Sequence, residues 1–356
     1  MSRKKKHRPR NSGITVRLHP KTRILLAKTV VRTLRKMNTP QPEARSSELP
    51  QISGFVDHKQ IRILMVSSLT GESMWQVEQM IAEQFRLLAK ELVSIKAFQS
   101  FSSALLQLNP DLLLVVGNEE SFSGTDLEII RKASLKKAIW LSDGTVTSES
   151  TARLAALFDY VFTQNTLHIT FYQHSGCTEV RYLPFPADRS LYSPRSVNAE
   201  HRSYLLLLGD ASAAGKEYAE KIKHLFTIKK VAAAGIGWEE YPGLKVLAPD
   251  AELEEYYNGA ELVIHWGGQT AKVFDIAACG VFQLAEGHPN IYEYMNPGED
   301  IVIFHTPDEL LEKLHFYSSH ADAKRAIASR ALWKSTYDYS FLQMANKLLH
   351  TVFNYS

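Results

Sequence analysis

The chain is 356 residues long, more than one compact core usually holds, so two domains are expected. Hydrophobic residues at 45% and charged residues at 22% exclude a wholly disordered chain, and no apolar run reaches the roughly 18 residues of a membrane-spanning helix. The net charge of +3 hides a division: residues 1–45 carry 14 Lys/Arg against one acid, Glu43, while the remainder holds 27 basic and 37 acidic residues.

The chain opens on a basic run, Arg3 to Arg10, with no apolar side chain to bury. Residues 21–37 read as a basic amphipathic helix. At about 100° per residue, Ile24, Leu26, Ala27, Val30, Val31, Leu34 and Met37 share one side, while Lys21, Lys28, Arg32, Arg35 and Lys36 share the other. A linker bearing Pro40 and Pro42 follows. Residues 3–37 suit contact with an anionic surface or membrane, or plain packing on the body. Without interleaved aromatics, sequence-specific nucleic-acid binding is not expected. Lys28 and Arg32 interrupt the apolar core a cleaved secretory signal needs.

From residue 61 short apolar segments alternate with helical ones. Strands are expected at 61–67, 92–98, 111–117, 137–141, 159–163 and 179–183, with a helix over 73–90. Pro184, Pro186 and Pro194 break the rhythm, which resumes with strands at 204–209, 228–234, 244–247, 262–265, 281–285 and 301–304. Helices run from Pro307 to the end. The expected fold is α/β: two Rossmann-like, doubly wound domains facing a cleft, with a basic N-terminal arm. The expected boundaries are 1–55 for arm, helix and linker, 56–195 for an acceptor-side domain, and 196–335 for a nucleotide-sugar-binding domain. A last helix at 336–356 packs back on the first domain.

Several segments carry a resemblance. Ala234-Gly235-Ile236-Gly237-Trp238 ends a strand; Glu255-Tyr256-Tyr257-Asn258-Gly259-Ala260 precedes another. Lys272-Val273-Phe274-Asp275 leads through a helix to Ala278-Cys279-Gly280-Val281-Phe282, and Asn296-Pro297-Gly298-Glu299-Asp300 forms a later turn. In this order the segments resemble the spore-maturation CgeB-like family of GT-B glycosyltransferases, similar to group 1 glycosyl transferases, over roughly residues 60–350. The resemblance implies a nucleoside diphosphate-sugar donor, an unidentified acceptor, a role in spore or envelope maturation, and no cofactor or metal. The implied location is the cytoplasm, with peripheral membrane or spore association.

The resemblance also implies that Asp275 grips the ribose and Lys272, where the family has Arg, meets the diphosphate. The bland alternatives are a solvated helix acid and a surface lysine. Lys216, after the strand-to-helix turn Gly209-Asp210-Ala211-Ser212-Ala213-Ala214-Gly215, is a second phosphate candidate; the turn is not a Walker A loop. His265, Gly267 and Gly268 form another turn, and Gly209, Gly237 and Gly280 complete the glycines expected to face ligand. Retaining relatives carry a second acid where this chain has Gly267. His265 stands in place of the family's Asn, with a satisfied strand-end histidine as the alternative. Trp238 is expected in the core. Ser67-Ser68-Leu69-Thr70-Gly71 is expected near the diphosphate, and Asp143, beside Gly144, on the acceptor side as general base. With Lys216 and Lys272, Asp143 completes the catalytic candidates.

Two readings remain: a glycosyltransferase, or a non-catalytic assembly protein of the spore or envelope. The arm makes its own prediction. Deleting residues 1–50 should leave the melting temperature nearly unchanged while abolishing salt-sensitive binding to anionic vesicles. A large fall in melting temperature would place the helix at 21–37 in the core.

Overall fold

The computed structural model describes residues 58–353 apart from 70–71, 98–100, 119–121, 143–146, 213–214 and 269. The basic arm and its expected helix therefore lie outside the described residues.

The first half contains β1 (Arg62–Ser67), β2 (Glu91–Lys96), β3 (Leu112–Val116), β4 (Lys136–Trp140), β5 (Tyr160–Thr163) and β6 (Glu179–Tyr182). Between them run α1 (Glu72–Leu88), α2 (Phe101–Leu108), α3 (Gly124–Lys132), α4 (Glu149–Ala155) and α5 (Ile169–His174). The strands pair in parallel in the order β2-β1-β3-β4-β5-β6. Burial follows position. The interior strand β3, Leu-Leu-Leu-Val-Val, is buried at every residue, whereas the edge strand β6 alternates exposed and buried.

The second half repeats the plan with β7 (Leu205–Leu208), β8 (Val231–Ala234), β9 (Lys245–Val246), β10 (Val263–His265), β11 (Gln283–Glu286) and β12 (Val302–Phe304). Its helices are α6 (Lys216–Ile222), α7 (Leu253–Gly259), α8 (Ala271–Ala278), α9 (Pro289–Tyr292) and α10 (Pro307–Ser319). The order is β12-β11-β10-β7-β8-β9, again parallel. Two further helices, α11 (Ala321–Tyr337) and α12 (Phe341–Phe353), close the chain. Local chemistry fixes several ends. Ser123 and Asp126 form a reciprocal capping box on α3, and Thr306 caps α10 ahead of Pro307.

One buried cluster joins the halves. It runs from Ile63, Met65 and Trp140 under the first sheet, through Phe274, Ile291 and Met295, to Leu348 and Leu349 of α12. The last helix lies against α1, and the Lys136 ammonium donates to the Val352 carbonyl at 2.8 Å. Asn290 is the polar joint. Almost wholly buried, its Oδ1 accepts from the Thr166 amide at 2.8 Å and hydroxyl at 2.7 Å, while its Nδ2 donates to the Thr270 hydroxyl at 3.1 Å. Thr166 follows β5, Thr270 follows β10 and Asn290 follows β11, so loops at the carboxyl edges of the two sheets meet there.

Asn290→Ala leaves the partly buried Thr166 donors without their acceptor. It should cost about 1–3 kcal/mol of stability, measured as a lower urea midpoint at unchanged slope. An unaltered midpoint would mean that water or another side chain replaces the joint.

Candidate functional site

In the second sheet β7 leads to β8 on one side and the chain then crosses to β10 on the other, so the reversal of direction falls between β7 and β10. Loops leaving a parallel sheet at such a point diverge and leave a crevice at the carboxyl edge. The turn after β7 begins at Gly209 and ends at Gly215; the turn after β10 runs from Trp266 to Thr270 and leads into α8.

The nominated glycines fall into two kinds. Gly267 and Gly268 have φ of +77° and +71°, and a side-chain carbon on either would meet nothing within 4 Å. They present bare left-handed backbone to open space, which a ligand can approach closely. Gly209 (φ +142°) is different: an added Cβ would fall 2.7 Å from the Trp266 indole nitrogen. At Gly237 the same carbon would lie 3.2 Å from the Ser212 amide. Both glycines serve the packing of turn against turn. Gly280 is farther away, at the opposite end of α8. There its amide donates to Ala277 at 3.0 Å and the next amide, of Val281, reaches Ile276 at 3.4 Å. That is a left-handed helix stop, and Leu332 and Pro194 cover it.

Lys272 and Asp275 share one face of α8, three residues apart, because Val273, Ile276 and Ala277 take the buried faces. Both side chains are half-buried, and neither makes a hydrogen bond or ion pair among the described residues. Burial pushes the Asp275 carboxyl up to about 7; the Lys272 charge pulls it down and Asp188 pushes it further up. The Lys272 ammonium is lowered by the same desolvation, against the attraction of Asp275 and Asp210. Tyr192 and Tyr257, their ring centroids 6.0 Å apart, are held protonated by burial first and by the nearby Asp275 charge second. The site thus has an unpartnered carboxylate and an unpartnered ammonium held partly out of water.

The other candidates are placed as follows. Lys216 is exposed at the first position of α6. His265 is buried; its Nε2 pairs with the Gln283 side-chain oxygen at 2.9 Å, and Gln283 donates on to the Val273 carbonyl at 3.0 Å. Burial drives its pKa down to about 4, so it is a neutral strand-end histidine bonded within the sheet. Trp238 is fully buried and donates to the Gly209 carbonyl at 2.8 Å. Ser67 and Ser68 are buried, and the Ser68 hydroxyl is spent on the Asn118 carbonyl at 2.5 Å. Thr70, Gly71, Asp143 and Gly144 lie outside the described residues.

Sequence reading overlooked Glu286, the last residue of β11. Its Oε2 accepts from the Gly267 amide at 2.8 Å and its Oε1 from the Tyr218 hydroxyl at 2.9 Å. The only advance signal was a carboxylate at a strand's carboxyl end. Among the described residues no group of three His, Cys, Asp or Glu side chains could hold a metal ion, and no helix is long and apolar enough to cross a membrane. A cavity of about 760 Å³ between α2 and α3 opens at the amino edge of the first sheet and contains none of the nominated residues.

Two parallel α/β halves whose carboxyl-edge loops meet define a GT-B fold. Solved structures agree. HepE from Anabaena in complex with UDP and glucose matches at a TM-score of 0.55 and 13% identity, over 83% of this chain and 100% of that one. Sucrose-phosphate synthase from Thermosynechococcus elongatus matches at a TM-score of 0.56 and 10% identity, over the same shares. Residues 215–350 match the family model described as glycosyl transferase-like. The spore protein CgeB of Bacillus subtilis (strain 168) is 24% identical over 301 residues, 76% of this chain and 88% of that protein. In these matches the chain is similar to the CgeB-like family of GT-B glycosyltransferases.

The buried acid makes a pH prediction. In the unfolded chain Asp275 ionises near its ordinary value of 3.8, but in the fold it keeps its proton up to about 7. Between those values the folded state binds the extra proton, so its stability falls as pH rises and levels off above about 7. Asp275→Asn should remove that fall and be more stable than the parent at pH 8, as followed by urea unfolding across pH. Parallel profiles for the two proteins would show that the carboxylate is better solvated than its position suggests.

Proposed function

We propose that the protein transfers a sugar from a nucleoside diphosphate-sugar, bound in the second half, to an acceptor brought by the first. One observation carries this: the open Gly267–Gly268 backbone, Lys272 and Asp275 lie in sequence along one turn and helix at the β7/β10 crevice, and neither the Lys272 nor the Asp275 side chain has a hydrogen-bond or ion-pair partner among the described residues. Their order matches the donor's. Asp275 accepts hydrogen bonds from the ribose, Lys272 and the first amides of α8 meet the diphosphate, and the glycine turn faces the sugar. The side chain of Thr270 does not cap α8, although the Val273 amide turns back to the Thr270 carbonyl at 3.2 Å.

During transfer the bond between the anomeric carbon and the diphosphate oxygen breaks as the acceptor oxygen bonds that carbon. The acceptor's proton passes to a base, for which Asp143 is the first-half candidate. The diphosphate leaves with added negative charge, which Lys272, Lys216 and the α8 amides stabilise. Lys272 gains most from this, because a diphosphate restores the charge that burial disfavours. These groups do the work in place of a cation, so turnover should be unaffected by EDTA. Support for a uridine donor comes from HepE, a similar fold in complex with UDP and glucose. Support for a spore or envelope setting comes from the likeness to CgeB.

The absence of an acid at Gly267 favours a second reading, an assembly protein that binds donor without turning it over. Calorimetry with UDP and UDP-glucose, followed by mass spectrometry of products with candidate acceptors, separates the two. Asp275→Ala should weaken UDP binding by about 1–3 kcal/mol, and Lys216→Ala/Lys272→Ala should abolish product. Binding without product above that double variant would establish the assembly reading; no binding in a folded protein would remove both.

A further inference from the structure

The Gly267–Gly268 turn is glycine at the two positions most open to ligand, and left-handed glycines alone do not hold a turn in one place. Something must fix it. Glu286 reaches it from the neighbouring strand: Oε2 accepts the Gly267 amide at 2.8 Å, a charge-assisted bond to the first residue of the turn. The other oxygen is tied by the Tyr218 hydroxyl at 2.9 Å. Tyr218 in turn lies against Trp266, ring centroids 5.5 Å apart, and Trp266 immediately precedes Gly267. The indole of Trp266 is itself held by the Asp210 carbonyl at 2.9 Å. Contacts therefore run from Gly267 to Glu286, to Tyr218, to Trp266 and back to Gly267, closing a ring around the base of the turn.

We propose that Glu286 is the positioning residue of the sugar subsite: by holding the Gly267 amide it sets the open glycine turn against the sugar of the bound donor. This rests on the donor-site reading above and deepens it. With ribose at Asp275 and diphosphate at Lys272, the sugar falls at residues 267–268, the stretch that Glu286 secures. A carboxylate thus reaches the turn from β11, and it acts on the backbone. Glu286 acts through Gly267, so it should govern recognition of the sugar and leave recognition of the nucleotide alone.

The experiment uses the full chain, with amide hydrogen exchange at Gly267 read by NMR and affinities for UDP and UDP-glucose read by calorimetry. Glu286→Gln keeps an oxygen for the Gly267 amide and a nitrogen for the Tyr218 oxygen, so it should retain slow exchange and near-parental affinities. Glu286→Ala should speed Gly267 exchange and weaken UDP-glucose by about tenfold, as expected for one lost hydrogen bond, while UDP affinity stays put. Should Glu286→Ala not fold, Tyr218→Phe replaces it: freeing one carboxylate oxygen should also speed exchange at Gly267. Unchanged exchange in the alanine variant, or in Tyr218→Phe where that replaces it, overturns the proposal. An equal loss in the glutamine and alanine variants also does so, since the charge would then be acting on the ligand directly. Equal losses of UDP and UDP-glucose do the same. If the parent binds neither ligand, the donor-site reading falls and takes this proposal with it; if it binds UDP while the Gly267 amide is indifferent to Glu286, this proposal falls alone.

Discussion

A parallel strand cannot be reached by a hairpin. Each must be entered through a crossover, so every strand-to-helix loop of a sheet leaves from the same edge. Both sheets here are parallel throughout, which gathers the loops after β7, β10 and β11 on one rim and those after β1, β3 and β5 on another. The site follows from this. Lys216, Gly267, Lys272 and Glu286 are up to 70 positions apart in the chain and share a rim because of strand direction. The order of strands then decides where on the rim a ligand fits, and the reversal between β7 and β10 selects the turns at 209–215 and 266–270.

Much of this was legible in the residues. All twelve strands appear close to the expected positions, because short runs such as Leu205–Leu208 are too apolar and too short for anything but a buried parallel strand. The glycines were harder. Sequence shows that a residue lacks a Cβ but not what would have met it. Gly209, Gly237 and Gly280 look like Gly267 on paper, yet the first two make room for Trp266 and the Ser212 backbone, and the third ends α8 beneath Leu332. Glu286 was hidden for the converse reason. Its partners, Gly267 and Tyr218, are 19 and 68 residues distant, and only the register of β10 against β11 brings them into reach. His265 shows a third limit, since its neutrality comes from burial and its partner Gln283 lies on the next strand, neither of which the local sequence displays.

The electrostatics of the crevice suit a ligand more than they suit the empty protein. Burial raises the Asp275 carboxyl and lowers the Lys272 ammonium, so each ionised form is disfavoured where it stands. Proteins seeking stability alone pair such groups or replace them. Here the two stand a helical turn apart without joining, and the nearby Asp210 gives one carboxylate oxygen to the Ile236 amide at 2.9 Å. A nucleoside diphosphate would bring hydroxyls for the acid and negative charge for the base, satisfying both without moving either.

The joint between the halves bears on the same helix. Thr270 is the residue from which α8 starts, and its hydroxyl is the acceptor for Asn290, whose oxygen holds Thr166 of the first half. Lys272 and Asp275 are carried by α8, two and five residues beyond that contact. Asn290 thus ties the start of α8 to the first half, alongside the apolar cluster that joins the two. Glu286 ends β11 and Asn290 follows four residues later, one securing the turn before α8 and the other its cap residue, Thr270. The segment from 286 to 290 therefore fixes the Gly267–Gly268 turn from one end and the inter-half contact from the other. If donor binds the second half and acceptor the first, as proposed, that segment is where the two requirements are reconciled.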